Sequence, residues 1–320
     1  MEIDKPLLSF DIYGSDDNSA LRSNKKEFQC RGSRSYVLSY RNEILERRGW
    51  QVPEDWDLSW TKRFGAIWTP EFETNIASWI QPEYFRAETS DPTLCIEATD
   101  RLDSTKGFEQ TTAASMPTLT STDFGTRSFN GLNFDGSNDS MDSMTTAYLN
   151  ADDNDFLCAI FLDFGSDADQ TILAGGIPGV KGWEIAKIAS DNKLRVRITT
   201  SDIDSSADAW VAATKTIVCV GRESGTVKAW INGTEVLSSS NTADIDYAAK
   251  SVLGGFIVSG ADFDGTIWEV VFIGGNGWDG TNRDKIEGYL AHKYENTGLL
   301  GAGHTYKTAP PRRVLDPNIT

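Results

Sequence analysis

The sequence predicts a two-sheet antiparallel β-sandwich over residues 67–308, with a small mixed or irregular arm before it (1–66) and an extended tail after it (309–320). Three observations predict this. β-Branched and aromatic runs recur at short, turn-bounded intervals from residue 68 onward, one of them closes in Asn-Gly, and a single later segment has helical periodicity. About ten to twelve strands at this spacing describe a mainly β fold rather than alternating β and α units.

The strands can be taken in order. The run 155–164 is almost continuously apolar, as suits a strand covered on both faces. Lys193-Leu194-Arg195-Val196-Arg197-Ile198 alternates strictly, the pattern of a half-buried strand. The runs 216–220 and 226–231 follow, and the second ends in Asn232-Gly233 before alternation resumes at 234–237. Asn-Gly between two such runs predicts a type I′ hairpin, because both central residues need positive φ. The run 265–273 is a further β-branched and aromatic strand. Residues 281–294 break the pattern and place Ile286, Tyr289, Leu290 and Tyr294 on one helical face. Thr281 and Asp284 are read as the capping pair, with Asn296 and Gly298 as the stop.

Length and composition allow one large β domain plus a smaller segment, since 320 residues exceed the common domain size of ~100–150. With 10 Trp and 15 Phe there is ample material for a core. Residues 1–66 carry 11 Lys and Arg against 11 Asp and Glu, so the formal charge of −17 falls entirely on the remainder. An acidic body disfavours phosphate backbones, which bind through Lys and Arg, so nucleic acid is excluded as a partner. No apolar run approaches the ~18 residues of a membrane span, and the start has no leader pattern. The arm contains a predicted helix over 39–48 and a Trp- and acid-rich stretch over 51–60. Cys30, Cys95, Cys158 and Cys219 are far apart, with no C-x-x-C spacing, and are read as reduced thiols, consistent with assembly in a cytoplasm.

Four segments carry a resemblance. Ala66-Ile67-Trp68-Thr69-Pro70-Glu71-Phe72 leads into Ile76-Ala77-Ser78-Trp79-Ile80, and Asn130-Gly131-Leu132-Asn133-Phe134-Asp135-Gly136 runs into a turn ending at Asp139. The third is the Trp230-Ile231-Asn232-Gly233 hairpin. The fourth is the helix Ile286-Glu287-Gly288-Tyr289-Leu290-Ala291-His292-Lys293-Tyr294 with His304-Thr305-Tyr306-Lys307 after it. In this order they resemble the concanavalin A-like (laminin-G-like) domains of tailed-bacteriophage structural proteins. The resemblance implies a jelly-roll sandwich with one C-terminal capping helix and a structural role in a virion. Phe134 is then expected to fill the core above the Asp135-Gly136 turn.

Glucanases of this superfamily carry E-x-D-x-x-E on one strand face, which supplies the paired carboxylates of glycoside hydrolysis. The sandwich has no such motif; Glu2-Ile3-Asp4 begins one but Leu7 stands in its last position. His292 and His304 are the only histidines and are read as packing or surface residues. Asp135, Asn138, Asp139 and Asp142 could together ligate calcium, although without EF-hand spacing, and no other cofactor is expected. For carbohydrate, Trp183, Trp210 and Trp278 with Asp279 lie among Gly and Asp residues and are the candidate platform.

The leading expectation is therefore a non-enzymatic virion protein of a tailed phage, anchored to other virion proteins through 1–66 and the tail. A homo-oligomer is expected, most naturally a trimer. The alternative is a glycan- or receptor-binding adhesion module directed at a host surface, and the third reading is a polysaccharide-degrading enzyme.

Overall fold

The structure, a computed structural model, describes residues 8–10, 28–30, 68–70, 73, 76–151, 155–177, 181–206, 209–210, 214–255, 262–275 and 278–311. The chain divides into two compact units, Met1–Ala66 with Val314–Thr320, and Ile67–Arg313. In the first, β1 (Leu8–Phe10) pairs antiparallel with β2 (Phe28–Cys30). The predicted helix over 39–48 and the stretch over 51–60 lie outside the described residues.

The second unit is mainly β, antiparallel, with one α-helix. Its strands are β3 (Ile76–Ala87), β4 (Cys95–Asp100), β5 (Gly107–Glu109), β6 (Thr118–Phe124), β7 (Arg127–Asp135), β8 (Met141–Ser143), β9 (Phe156–Phe164), β10 (Gln170–Ile177), β11 (Lys181–Ile188), β12 (Lys193–Ile198), β13 (Ser201–Asp204), β14 (Thr216–Glu223), β15 (Thr226–Ile231), β16 (Thr234–Ser240), β17 (Ser251–Leu253) and β18 (Asp264–Gly274). One layer runs β13-β12-β11-β10-β17-β8-β5-β4, and the other β18-β9-β14-β15-β16, with β7 and β6 off β18. β3 belongs to both, pairing with β4 and with β18, and its register shifts between Ile80 and Phe85 where it passes from one to the other.

Alternation decides what lies between the layers. Cys158, Ile160 and Leu162 of β9 meet Leu194, Val196 and Ile198 of β12 in one buried cluster, together with Trp183, Ile185 and Phe134. The intervening residues of β9, Leu157, Ala159 and Phe161, point the other way into a second apolar cluster. This explains the continuous apolar run of β9: both of its faces are covered. Cys95, Cys158 and Cys219 are free and buried, and burial pushes the Cys95 thiol up to about 12.

The second cluster is closed by α1 (Gly280–Lys293), which lays Ile286, Tyr289, Leu290 and Ala291 against it. The helix is capped two residues earlier than the sequence suggests. Asp279 is the N-cap, accepting from the backbone of Thr281 and Asn282, while the Asn282 side chain returns a bond to the Asp279 N–H. The Thr281 and Asp284 reading fails because Thr281 already lies inside the helix, its own N–H capped by Asp279. The predicted hairpin forms as expected, with Asn232 at φ 53° and Gly233 at φ 79°. No helix of the described residues is long and apolar enough to cross a membrane.

A register shift between Ile267 and Glu269 of β18 leaves the fully buried Glu269 facing the helix. Trp79 Nε1 donates to its Oε1 at 2.6 Å, and Lys293 Nζ and the Tyr294 hydroxyl donate to Oε2 at 2.7 and 2.8 Å. Removing one partner of a buried ion pair strands the other charge. Glu269→Ala is therefore expected to lower the unfolding free energy of the full chain by about 3–5 kcal/mol, read from denaturant titrations by Trp fluorescence. A loss below about 1 kcal/mol would mean that apolar packing alone holds the helix.

Candidate functional site

The two layers treat their outer faces differently. α1 covers that of β9, β14 and β18, whereas side chains such as Arg86, Glu109 and Asp142 on the other layer reach solvent. Strand register aligns its outward residues into one transverse row: Asp202, Arg197, Glu184, Ala174, Val252, Asp142, Glu109, Glu97 and Arg86. Successive members sit on neighbouring strands roughly 4.8 Å apart. Their inward neighbours Ile198, Ile185, Leu253, Met141 and Phe108 fill the main core, which fixes the direction of the row.

At one end the charges form a ladder. Arg197 Nη1 donates to Glu184 Oε2 at 2.9 Å and Arg197 Nε to Asp202 Oδ1. Beside it Arg195 makes a two-pronged contact with Asp204, at 2.7 and 2.9 Å. Glu184 also accepts from Thr171 Oγ1 at 2.8 Å, and burial raises its carboxyl pKa against the opposing pull of Thr171 and Arg197. At the other end Arg86 grips Glu97 through Nε at 2.7 Å and through Nη2. Lys250 Nζ stands 3.9 Å from Glu109. Asp142, directly opposite Glu109, has no cation within 4.0 Å among the described residues.

Tyr84 is two residues before Arg86 on β3 and shares its outward face, since the intervening Phe85 packs on the core. At 36% exposure it is one of two large exposed hydrophobic side chains among the described residues. An exposed ring beside carboxylates and guanidinium groups held in fixed positions supplies the parts a polyhydroxylated ligand needs: an apolar platform, hydrogen-bond acceptors and planar donors.

The aromatic residues singled out in the sequence are elsewhere. Trp183 is fully buried, stacked between Phe156 and Phe272 at 5.6 and 5.9 Å. Trp210 is buried edge-on to Phe164 at 4.6 Å. Trp278 is buried against Trp230 and donates its Nε1–H to the Arg222 carbonyl at 3.0 Å, and its neighbour Asp279 is spent as the helix cap. Glycine and aspartate around these residues serve core strands and a cap, so none of the three rings offers an open face.

The acidic turn is brought together in part. Asp139 Oδ2 accepts the Asp135 N–H at 3.1 Å, Asp135 Oδ1 accepts from Ser137 and Asn138, and Asn138 donates to the Ala114 carbonyl. Asp142 leaves the turn and joins the row on the open face. In its place comes Asp262, distant in sequence but delivered by the β7–β18 pairing, where Asp135 lies opposite Asp264. Burial first, then the charges of Asp135 and Asp262, raise the Asp139 carboxyl to about 6. Asp135, Asp139 and Asp262 feel one another's charge, but they are not among the described residues whose donor atoms close to within 4.8 Å of one another.

Asp284, Glu287 and His304 form a second group of metal-ligating types, with donor atoms within 4.8 Å of one another. His304 Nδ1 accepts the Tyr306 N–H at 3.2 Å, which leaves the ring proton on Nε2, 3.3 Å from Glu287 Oε2. Arg283 Nε is 3.4 Å from that same oxygen. A nitrogen wired to carry a proton toward the carboxylate fastens the tail to the helix and is poorly set up as a ligand. His292 does the same work, donating from Nε2 to the Tyr306 carbonyl at 2.8 Å.

No family model and no curated protein matches the sequence. Solved structures do match in shape. Trypanosoma rangeli sialidase gives a TM-score of 0.47 at 14% identity over 68% of this chain and 33% of its own. Domain 4 of AbnA, a GH43 extracellular arabinanase from Geobacillus stearothermophilus, in complex with arabinotriose, gives 0.43 at 16% identity over 63% and 94%. The CBM40 of Ruminococcus gnavus IT-sialidase, bound to α2,3 sialyllactose, gives 0.37 at 14% over 45% and 89%. The chain thus spans about a third of the length of the sialidase it matches. The tailed-phage virion reading is corrected by this comparison: these matches are glycoside hydrolases and carbohydrate-binding domains, and none is a virion protein. At these scores the function has to be read from the site.

Because Asp139 binds its proton more tightly when folded, its favourable contribution is complete below about pH 4 and is lost as pH rises through about 6. Asp139→Asn keeps an acceptor for the Asp135 N–H and should flatten the stability profile between these pH values, raising stability at neutral pH. Thermal melts of both proteins across that window check this; parallel profiles would place the titrating group elsewhere.

Proposed function

We propose that the chain is a carbohydrate-binding β-sandwich module, of the jelly-roll type its sequence resembles, whose ligand lies across the open layer. The observation that carries this is the asymmetry of the two layers. One outer face is closed by α1 and an aromatic cluster, while on the other the row is buried at Glu184, Ala174 and Val252 and reaches solvent at Asp142, Glu109, Glu97 and Arg86, with the exposed Tyr84 at that end. A face meant only to be solvated has no need of Arg195, Arg197 and Arg86 held in planar, two-pronged contacts. Such contacts hold donors and acceptors in place, which lowers the cost of ordering them when hydroxyl groups arrive.

The reading is of binding without hydrolysis. Hydrolysis needs one carboxyl acting as an acid and another as base or nucleophile. On this face Glu97, Glu109 and Glu184 are each set against a cation, Arg86, Lys250 and Arg197.

A glycan panel probed with the full chain tests the proposal. Tyr84→Ala, which removes the apolar platform, and the pair Glu109→Gln with Asp142→Asn, which removes hydrogen bonds to charged groups worth ~1.5–3 kcal/mol each, are each expected to weaken binding by about tenfold or more. Their melting temperatures should stay close to that of the parent, since all three side chains are exposed or partly so. Silence of the parent chain across the panel, or full binding by the variants, would contradict the assignment.

A further inference from the structure

We propose that the open face selects saccharides without acidic groups and turns away sialylated, sulfated or uronic ones; this rests on the carbohydrate-binding reading above. Recognition of an anionic sugar calls for a cation free to meet it, most often a guanidinium presented in its two-pronged geometry. Three arginines of this face are already committed to carboxylates, and Arg101, beside Tyr84, lies over the Trp79 ring at 4.5 Å. Arg86 is held by Glu97, Arg197 by Asp202 and Glu184, and Arg195 by Asp202 and Asp204.

The remaining surface is acidic. Glu97, Glu109 and Asp142 stand on three adjacent strands in direct register, so the stretch from β4 to β8 spans roughly 10 Å of carboxylates. Lys250, at 3.9 Å from Glu109, offsets only part of this, and Asp142 has no cation partner among the described residues. A carboxylate or sulfate on the ligand would meet like charge here, which opposes association. The formal charge of −17 on the whole chain acts in the same direction at longer range. Uncharged hydroxyls, by contrast, donate to these carboxylates and accept from the remaining N–H groups of the paired arginines.

Matched pairs of ligands test the inference with the full chain: lactose against 3′-sialyllactose and 3′-sulfolactose, and neutral xylo-, arabino- and gluco-oligosaccharides against their uronic counterparts. The neutral member of any pair that binds is expected to do so at least tenfold more tightly at low salt, with the gap narrowing as ionic strength rises. Glu97→Gln releases Arg86 and removes one like charge, so it should raise affinity for the acidic member and narrow the gap within a pair. Equal or tighter binding of the acidic members by the parent chain would overturn the inference and leave the carbohydrate-binding reading intact. Absence of binding to every member would overturn both.

Discussion

The buried carboxylate of Glu269 is the contact on which the architecture turns. It lies on β18 at the middle of the sandwich, yet its partners come from β3 and from the end of α1. A charge with no exposure is tolerable only when every lone pair is engaged and a counter-charge is close. Satisfying it therefore fixes three elements at once: the strand shared by both layers, the central strand of one layer and the helix. Tyr289 and Tyr294 close around the same group, and burial together with its negative charge raises both phenol pKa values well above normal. Phe161 stacks on Tyr294 at 4.4 Å, and Phe124 packs edge-on to Trp268 at 5.2 Å. Once the helix is docked there, the outer face of β9, β14 and β18 is covered, whereas Arg86, Glu109 and Asp142 on the other layer reach solvent.

The segment after the helix secures this arrangement. His292 and His304 tie Tyr306 and Glu287 together, and Lys307 Nζ reaches the carbonyls of Thr297 and Leu300 at 2.7 and 2.6 Å. Gly233 belongs to the same corner, since a Cβ there would come within 3.0 Å of the His304 ring. The hairpin glycine thus has two reasons to be glycine, its positive φ and the histidine above it. Both histidines are engaged in contacts that fasten this corner.

Much of the fold was legible because it depends on local pattern. The strict alternation of Lys193–Ile198 and the Asn232-Gly233 turn appear where the sequence places them, and Phe134 fills the core beneath its turn. The site was not legible for a reason of the same kind. Arg86, Glu97, Glu109, Asp142, Glu184 and Arg197 come from six strands, and only the strand order brings them into one row. Each alone is an ordinary outward residue. Composition around Trp183, Trp210 and Trp278 suggested loops, but aromatic pairing and a helix cap drew all three inside. Asp262 was missed beside Asp135 and Asp139 because the β7–β18 pairing, not spacing, makes them neighbours. The four segments that resembled phage domains are mostly core, turn and fastening residues, so they speak to architecture and left the role open to correction.

Where a saccharide makes contact is the point on which this account stands. Hydrogen–deuterium exchange of the full chain, with and without a saturating neutral oligosaccharide that binds, locates it directly. The account predicts added protection in β3, β4, β5 and β8, with α1 and the segment around His304 unchanged. Protection confined to the helix, the Asn232-Gly233 hairpin or the tail would contradict it.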